Sequence, residues 1–408
     1  MCAPNDRRRA IGAPARLGRW LTSALACALA GCAVGPNFHA PAAPPVTHYS
    51  SGGDSVRTAA AQGIAQRFIP GQAVAGDWWR LFNSAQLQSV VAEALANNPG
   101  LQAAQASLRA SEYSLRAGYG IFYPQARADG QATRERFSPL ELGESSRASV
   151  FNLFTLSASA SYALDLFGGE RRQLEGLAAQ VDVQRATEHA TYVTLLSNVV
   201  NTVVAAAAYR AQIDATRQLI DLQREQVRLA QIQYRAGTQP YSAALSLQSQ
   251  LATYEASIPQ LEQKLAQSDD LLAALVGRVP ADERAPQIDL KDLKLPGDLP
   301  VSLPSDLVRQ RPDILIAQAT AHAASANVGV ATAALLPSVT LSGGYSANGL
   351  TTTRIFAANG REWSFGADLT APLFEGGTSW FNRKAAVENY HQALALYRQT
   401  VLGAFEQV

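Results

Sequence analysis

The stretch "FTLSASASYALDLF", residues 154–167, decides the architecture. Phe154, Leu156, Ala158, Ala160, Tyr162 and Leu164 share one face at period two, while Ser157, Ser159, Ser161 and Asp165 share the other. Such alternation over about ten residues predicts a β-strand with two chemically different faces. At about 3.3 Å per residue, a tilted strand of this length crosses a bilayer core. Two more stretches repeat the pattern. "SVTLSGGYSA" (338–347) sets Val339, Leu341, Gly343 and Tyr345 against Ser338, Thr340, Ser342 and Gly344. "EWSFGADLTAPLF" (362–374) sets Trp363, Phe365, Ala367, Leu369, Ala371 and Leu373 against Ser364, Gly366, Asp368 and Thr370. "QARADGQAT" (125–133) is a weaker fourth. The rival reading is a periplasmic sandwich with one wetted face. Against it, the polar faces are small and mostly uncharged, as a lumen wall can be, and several strands end in aromatics, as interfacial girdles do.

The strand pairs belong to a duplication. "NNPGLQAAQASLRASEYSLRAGYGIFYPQ" (97–125) matches "QRPDILIAQATAHAASANVGVATAALLPS" (310–338), with Pro99 on Pro312, Leu101 on Ile314, Gln105 on Gln318, Ala106 on Ala319 and Pro124 on Pro337. Both are Ala-rich and bounded by prolines, which predicts helices. "LDLFGGERR" and "APLFEGGTSW" then align Leu166 with Leu373, Phe167 with Phe374 and Gly169 with Gly376. Their glycines allow the turn from strand to helix.

Residues 171–236 hold no proline and one glycine, Gly176, which predicts a helix about 100 Å long at 1.5 Å per residue. After "RAGTQPY" a second helix carries Leu247, Leu251, Tyr254, Ile258, Leu261, Leu265, Ser268, Leu272 and Leu275 at alternating spacings of four and three. That is a coiled-coil seam. Pro259 is expected to bend it. The Pro-rich segment 278–304 reads as a linker between a first repeat, 83–277, and a second, 305–408.

The N-terminus is an export signal. Arg7, Arg8, Arg9, Arg16 and Arg19 form a basic region, residues 20–30 are mostly apolar, and Leu29-Ala30-Gly31-Cys32 resembles a bacterial lipobox. Residues 1–31 are therefore expected to be cleaved and Cys32 acylated, with 32–82 a lipid-anchored, extended segment. Each buried methylene of an acyl chain contributes roughly 0.8 kcal/mol, so several chains make a durable anchor. Ala33, where an Asp would signal inner-membrane retention by resemblance to lipoproteins, points to the outer membrane. Cys2 and Cys27 leave with the signal, so neither a disulfide nor a cysteine metal site is expected.

Other chemistry is excluded. The full chain has 34 Lys+Arg and 33 Asp+Glu; loss of those five Arg and Asp6 leaves a net charge of about −3, no footprint for nucleic acid. His39, His48, His189, His322 and His391 are scattered without metal-ligand spacing, and no HExxH, GxSxG, P-loop or GxGxxG occurs. No enzyme and no cofactor is expected beyond the acyl anchor on Cys32. No run of 18 apolar residues follows Cys32, so any crossing is expected from strands.

Even small closed barrels need about eight strands, and an open sheet edge is forbidden in lipid, so a chain with four must oligomerise. With that, the chain resembles the NodT-type lipoproteins among the TolC-like outer-membrane factors. The residues that carry the resemblance are "CAVGPNF" (32–38), "DWWRLFNSAQLQSVVAEALANNPGLQAA" (77–104), "RPDILIAQ" (311–318) and "APLFEGG" (371–377). It covers essentially the whole chain after the signal. The resemblance implies an α+β fold: a transmembrane β-barrel of four strands per chain, closed in a homotrimer, joined to a periplasmic α-helical coiled-coil barrel. It implies a passive exit duct for small molecules in a tripartite efflux system, loaded by an inner-membrane pump through a periplasmic adaptor. Tyr234, Arg235, Ala236, Gly237 and Thr238 match the family's helical tip and become candidates for adaptor docking; Gly237 as a plain turn glycine is an equal alternative.

The resemblance stops short in one respect. The first repeat runs on from Gln173 to Gly277, whereas its counterpart runs from Trp380 to Val408, about 76 residues fewer. The second long helical pair, which carries the family's aperture residues, is expected to be absent, and the chain as given is expected not to conduct. The rival functions are a coiled-coil periplasmic adaptor, a structural lipoprotein, or a non-functional truncated duct. The duplication argues against the first, and the amphipathic strands against the second. Cys32→Ser is predicted to abolish metabolic labelling with palmitate and outer-membrane anchoring; equal labelling of variant and wild type would contradict the lipobox reading.

Overall fold

The computed structural model describes residues 33–42, 53–60, 65–72, 75–138, 143, 147–281, 287–301 and 310–407. The signal and Cys32 lie outside these residues. Two compact units divide the chain. One holds a four-stranded sheet with the helical segments 112–118, 169–180, 319–333 and 378–396; the other holds the helical hairpin and the start of the first repeat, as far as Ser111.

The sheet consists of β2 (Gln125–Phe137), β3 (Ser149–Leu164), β5 (Ser338–Gly349) and β6 (Arg361–Thr370), all antiparallel, in the order β2-β3-β5-β6. The register sets apolar on apolar. Ala158 lies opposite Tyr345, which lies opposite Trp363, and Leu164 opposite Val339, which lies opposite Leu369. Three of the strands outrun the sequence reading: β2 extends to Phe137, β3 starts at Ser149 and β5 extends to Gly349. β6 ends sooner, at Thr370. Pro372 has no N–H to continue the ladder. Leu373 and Phe374 therefore leave the sheet, 96% and 91% exposed.

The repeat is visible in the element order. α2 (Pro99–Gly118) leads into β2–β3 and then α3 (Gly169–Arg235, 67 residues). α5 (Pro312–Ala333) leads into β5–β6 and then α6 (Thr378–Glu406). Asp165, expected on the polar strand face, instead caps α3: its carboxylate accepts from the Glu170 and Arg171 amides, both at 3.2 Å. With Asp165 alongside, burial pushes the Glu170 carboxyl above its usual range.

The second unit is built on heptads. On α4 (Tyr241–Leu275) each predicted seam position is at least half-buried, while its neighbours are mostly exposed. α3 answers with Ile213, Thr216, Ile220, Gln223, Val227 and Ala230, spaced three and four apart and turned inward. Gln223 donates to the Leu247 carbonyl at 3.1 Å, so the one polar amide on that seam is paired. α4 continues through Pro259. Above the seam, α1 (Ala85–Asn97), capped by the Ser84 hydroxyl, packs Leu87, Val90, Val91 and Ala94 against Leu195, Leu196, Val199, Val200 and Val203 of α3.

α3 and α5 do contain windows long and apolar enough to cross a membrane by length and composition, which a search for contiguous apolar runs overlooks. In α3, 44% of that window is buried. The predicted linker is also more ordered than expected. Ile288 is in the same core, and β4 (Asp298–Val301) pairs in parallel with β1 (Arg67–Pro70). Four-residue strands are too short to show a period.

Leu196→Ala, at 1% exposure, is predicted to destabilise this unit by about 2–5 kcal/mol. Val56→Ala, at 68% exposure, should change the thermal midpoint of the helical circular dichroism little. Equal midpoints for the two variants would contradict the packing described.

Candidate functional site

Three places are candidates for function: the sheet, the strap that follows Cys32, and the helical tip. The sheet exposes its apolar face. Trp363, Phe365 and Leu369 are 81%, 77% and 71% exposed, and Leu156 and Tyr345 are also open. From Leu164 to Phe154 the apolar face of β3 rises about 25 Å once tilted, the height of a barrel's lipid-facing band. Exposed aromatics gather where the sheet meets the helices: Tyr119, Tyr123, Phe374, Trp380 and Phe381. Aromatic girdles at bilayer interfaces look like this. The opposite face is lined by small residues such as Ser157, Ser159, Ser342, Gly344 and Ser364. Among the described residues, both edge strands, β2 and β6, leave one side of their backbone without a strand partner.

The strap, Ala33–Phe38, is seated at the foot of the same sheet. The Val34 amide donates to the Phe167 carbonyl at 2.9 Å. Arg172, only 4% exposed, donates to the Val34 and Gly35 carbonyls at 3.1 and 3.3 Å and to Asn37 Oδ1 at 2.7 Å. Its remaining nitrogen donates to Glu175 at 2.7 Å. The other Glu175 oxygen meets His322 Nε2 at 2.9 Å, and the His322 ring stacks on Phe38 with centroids 4.6 Å apart. A buried guanidinium is tolerated because each of its three nitrogens has found an acceptor. Gly35, at φ +92°, lies so close to Gly329 that a Cβ would sit 2.4 Å from the Gly329 Cα. "AVGPNF" (33–38) thus spells a docked segment: glycine for approach, asparagine and phenylalanine for the clamp. Sequence reading missed Arg172, Glu175 and His322, since His322 and Glu175 are 147 residues apart.

At the tip, Gly237 adopts φ +71°. The Thr238 amide donates to Gln233 O at 3.0 Å and the Gly237 amide to Tyr234 O at 2.9 Å, a Schellman closure of α3. Tyr234 and Tyr241 face each other at 5.2 Å across the turn, and residues 232–240 are all exposed. Glycine is therefore needed by the turn itself. Among the described residues, no group of three or more His, Cys, Asp or Glu side chains is placed to hold a metal.

The profile of the outer membrane efflux protein family matches residues 90–278 and 303–408. The chain belongs to that family. It is an outer-membrane efflux component, a transport duct rather than an enzyme. Among its relatives, the cation efflux system protein CusC of Escherichia coli O6:H1 is 26% identical over 387 residues, 94% of this chain and 80% of CusC. Nodulation protein T of Rhizobium leguminosarum bv. trifolii is 26% identical over 96% of this chain and 81% of its own length. The solved outer-membrane channel OprN is 27% identical and superposes with a TM-score of 0.78 over 92% of this chain and 81% of OprN.

The "RPD" start of α5 has a physical role. Arg311 bridges Asp313 at 2.8 Å and Gln407 at 2.6 Å, joining the start of α5 to the end of α6 over a core of Ile314, Tyr397, Val401 and Ala404. The Arg311 guanidinium holds the Asp313 carboxyl below its ordinary range. Its contribution is therefore present above the unfolded carboxylate pKa and lost as pH falls through the lower folded value.

Arg172→Gln is predicted to release the strap. Hydrogen exchange at the Val34 amide should rise at least tenfold while exchange in the α1 core stays unchanged. Unchanged protection at Val34 would show that Arg172 does not hold it.

Proposed function

We propose that three copies close their sheets into one twelve-stranded barrel in the outer membrane, and that the duct it begins receives small molecules from an inner-membrane pump through a periplasmic adaptor. The observation that carries this is the four-stranded sheet with an exposed apolar face and two unpaired edges. In hydrocarbon each unpaired backbone group costs several kcal/mol, so closure is obligatory. The geometry suits it. β2 runs away from the helices and β6 runs back toward them, so β6 of one copy meets β2 of the next antiparallel, like every other pair in the sheet. An eight-stranded barrel is filled by side chains, whereas twelve strands lined by Ser and Gly leave a bore.

The helices support the same assembly. Besides the seam facing α4, α3 carries a second apolar stripe, Leu219, Leu222, Leu229 and Ile232, between 48% and 64% exposed. Such a stripe is what a neighbouring helix in a ring would cover. We assign acylation to Cys32, with the strap clamp holding the acylated end at the sheet's foot. We assign adaptor docking to Tyr234, Arg235, Ala236, Gly237 and Thr238, on the strength of their exposure and their place at the end of the hairpin.

The test is assembly on unboiled gels. Wild type should run as a heat-modifiable trimer. Leu341→Arg or Leu369→Arg should abolish it, because Arg at mid-bilayer on the lipid face costs about 2–4 kcal/mol. Ser342→Arg, facing the bore, should assemble. Greater harm from the Ser342 change would invert the assignment of faces.

A further inference from the structure

Charge is segregated across the sheet. Among strand residues on the apolar face, the charged ones are all arginines: Arg134 and Arg136 of β2 and Arg361 of β6. The opposite face carries Asp129, Glu135, Glu362 and Asp368 against the single Arg127. The three outward arginines are exposed, and all stand toward the hairpin end of the sheet, away from the helices. Arg134 lies opposite Asn152 and Arg136 opposite Val150, just past Phe154 where the apolar band stops. Arg361 is the first residue of β6, and its guanidinium is steadied by donation to the Phe356 carbonyl at 2.9 Å. The helix end of the same face, at Leu164, Val339 and Leu369, has no charge at all.

A symmetric band would carry charge at both rims or neither. Here it is basic at one rim only. Closure of the barrel sets β2 of one copy beside β6 of the next, which brings the two arginine sets together at every seam. Like charges on neighbouring strands repel unless an anion lies between them. Guanidinium groups pair with phosphate bidentately, and their stems lie along apolar surface with the head at headgroup height.

We propose that Arg134, Arg136 and Arg361 form, at each seam between copies, a site for the phosphates of an outer-leaflet glycolipid. This rests on the membrane reading of the sheet given above. The bound lipid ties neighbouring copies together at the rim farthest from the long helices.

The experiment uses the trimer in neutral detergent with EDTA, and reads its dissociation temperature on unboiled gels. Diphosphoryl lipid A should raise that temperature by several degrees, whereas dephosphorylated lipid A and inorganic phosphate should not. The double variant Arg134→Gln/Arg136→Gln, and Arg361→Gln separately, should form the trimer but lose the lipid-dependent rise. Arg127→Gln, on the inner face, should keep it. A full rise in the outward-face variants, or an equal rise with dephosphorylated lipid A or with inorganic phosphate, would overturn the proposal while leaving the barrel intact. Absence of any heat-modifiable trimer in wild type would overturn the membrane reading, and this site with it.

Discussion

An unpaired backbone N–H or C=O in hydrocarbon has no water to turn to. That constraint organises the molecule. The sheet of one chain has apolar side chains on its outer face and two edges without partners. Neither feature is stable alone in the bilayer, and each implies the other's solution. In the assembly proposed above, copies that pair edge to edge would satisfy the backbone, and their ring would turn the apolar faces outward to lipid. Even the small residues of the other face follow, since a ring of this size must leave its interior wet.

The helices obey an analogous rule in water. α3 is apolar along two stripes, one covered by α4 and one open. Its length is held by Ala, Gln, Arg and Leu, good helix formers, and by flanking ion pairs such as Arg224–Glu255 and Arg217–Glu262. Those pairs are exposed and contribute little each. The stability lies in the heptad seam and the α1 core, and the second stripe is the surface proposed above for neighbouring helices. The strap adds a third kind of contact, polar and buried, in which Arg172, Glu175 and His322 fix the segment beside Cys32 to the foot of the sheet.

Periodic features were legible in the sequence. The strands at 154–164, 338–347 and 362–370, the long helix, the seam from Leu247 to Leu275 and the repeat all follow from spacing alone, because each is a regular element with one dominant period. The tip was legible as a turn because Gly237 and Pro240 interrupt that period. What escaped was non-periodic. The clamp unites residues far apart in the chain, and no local pattern marks Arg172 as buried while other arginines of α3, such as Arg185 and Arg217, are exposed. β1 and β4 are too short to signal themselves; β1 falls in the segment expected to be extended and β4 in the expected linker. The outward arginines were visible as letters, but their shared face emerged only from the register of β2 on β3 and β5 on β6.

The central claim is that one chain's β2 edge meets another's β6 edge. Cyclic closure needs that head-to-tail contact, whereas a two-fold pair would join like edges. It can be measured by co-expressing two single-cysteine chains, one Ala128→Cys on β2 and one Ala367→Cys on β6, and adding a short bifunctional thiol cross-linker to intact outer membranes. The account predicts a linked pair from the mixed chains, and none from Ala128→Cys alone or from Ala367→Cys alone. Linkage within a single-variant population, with none in the mixture, would contradict it.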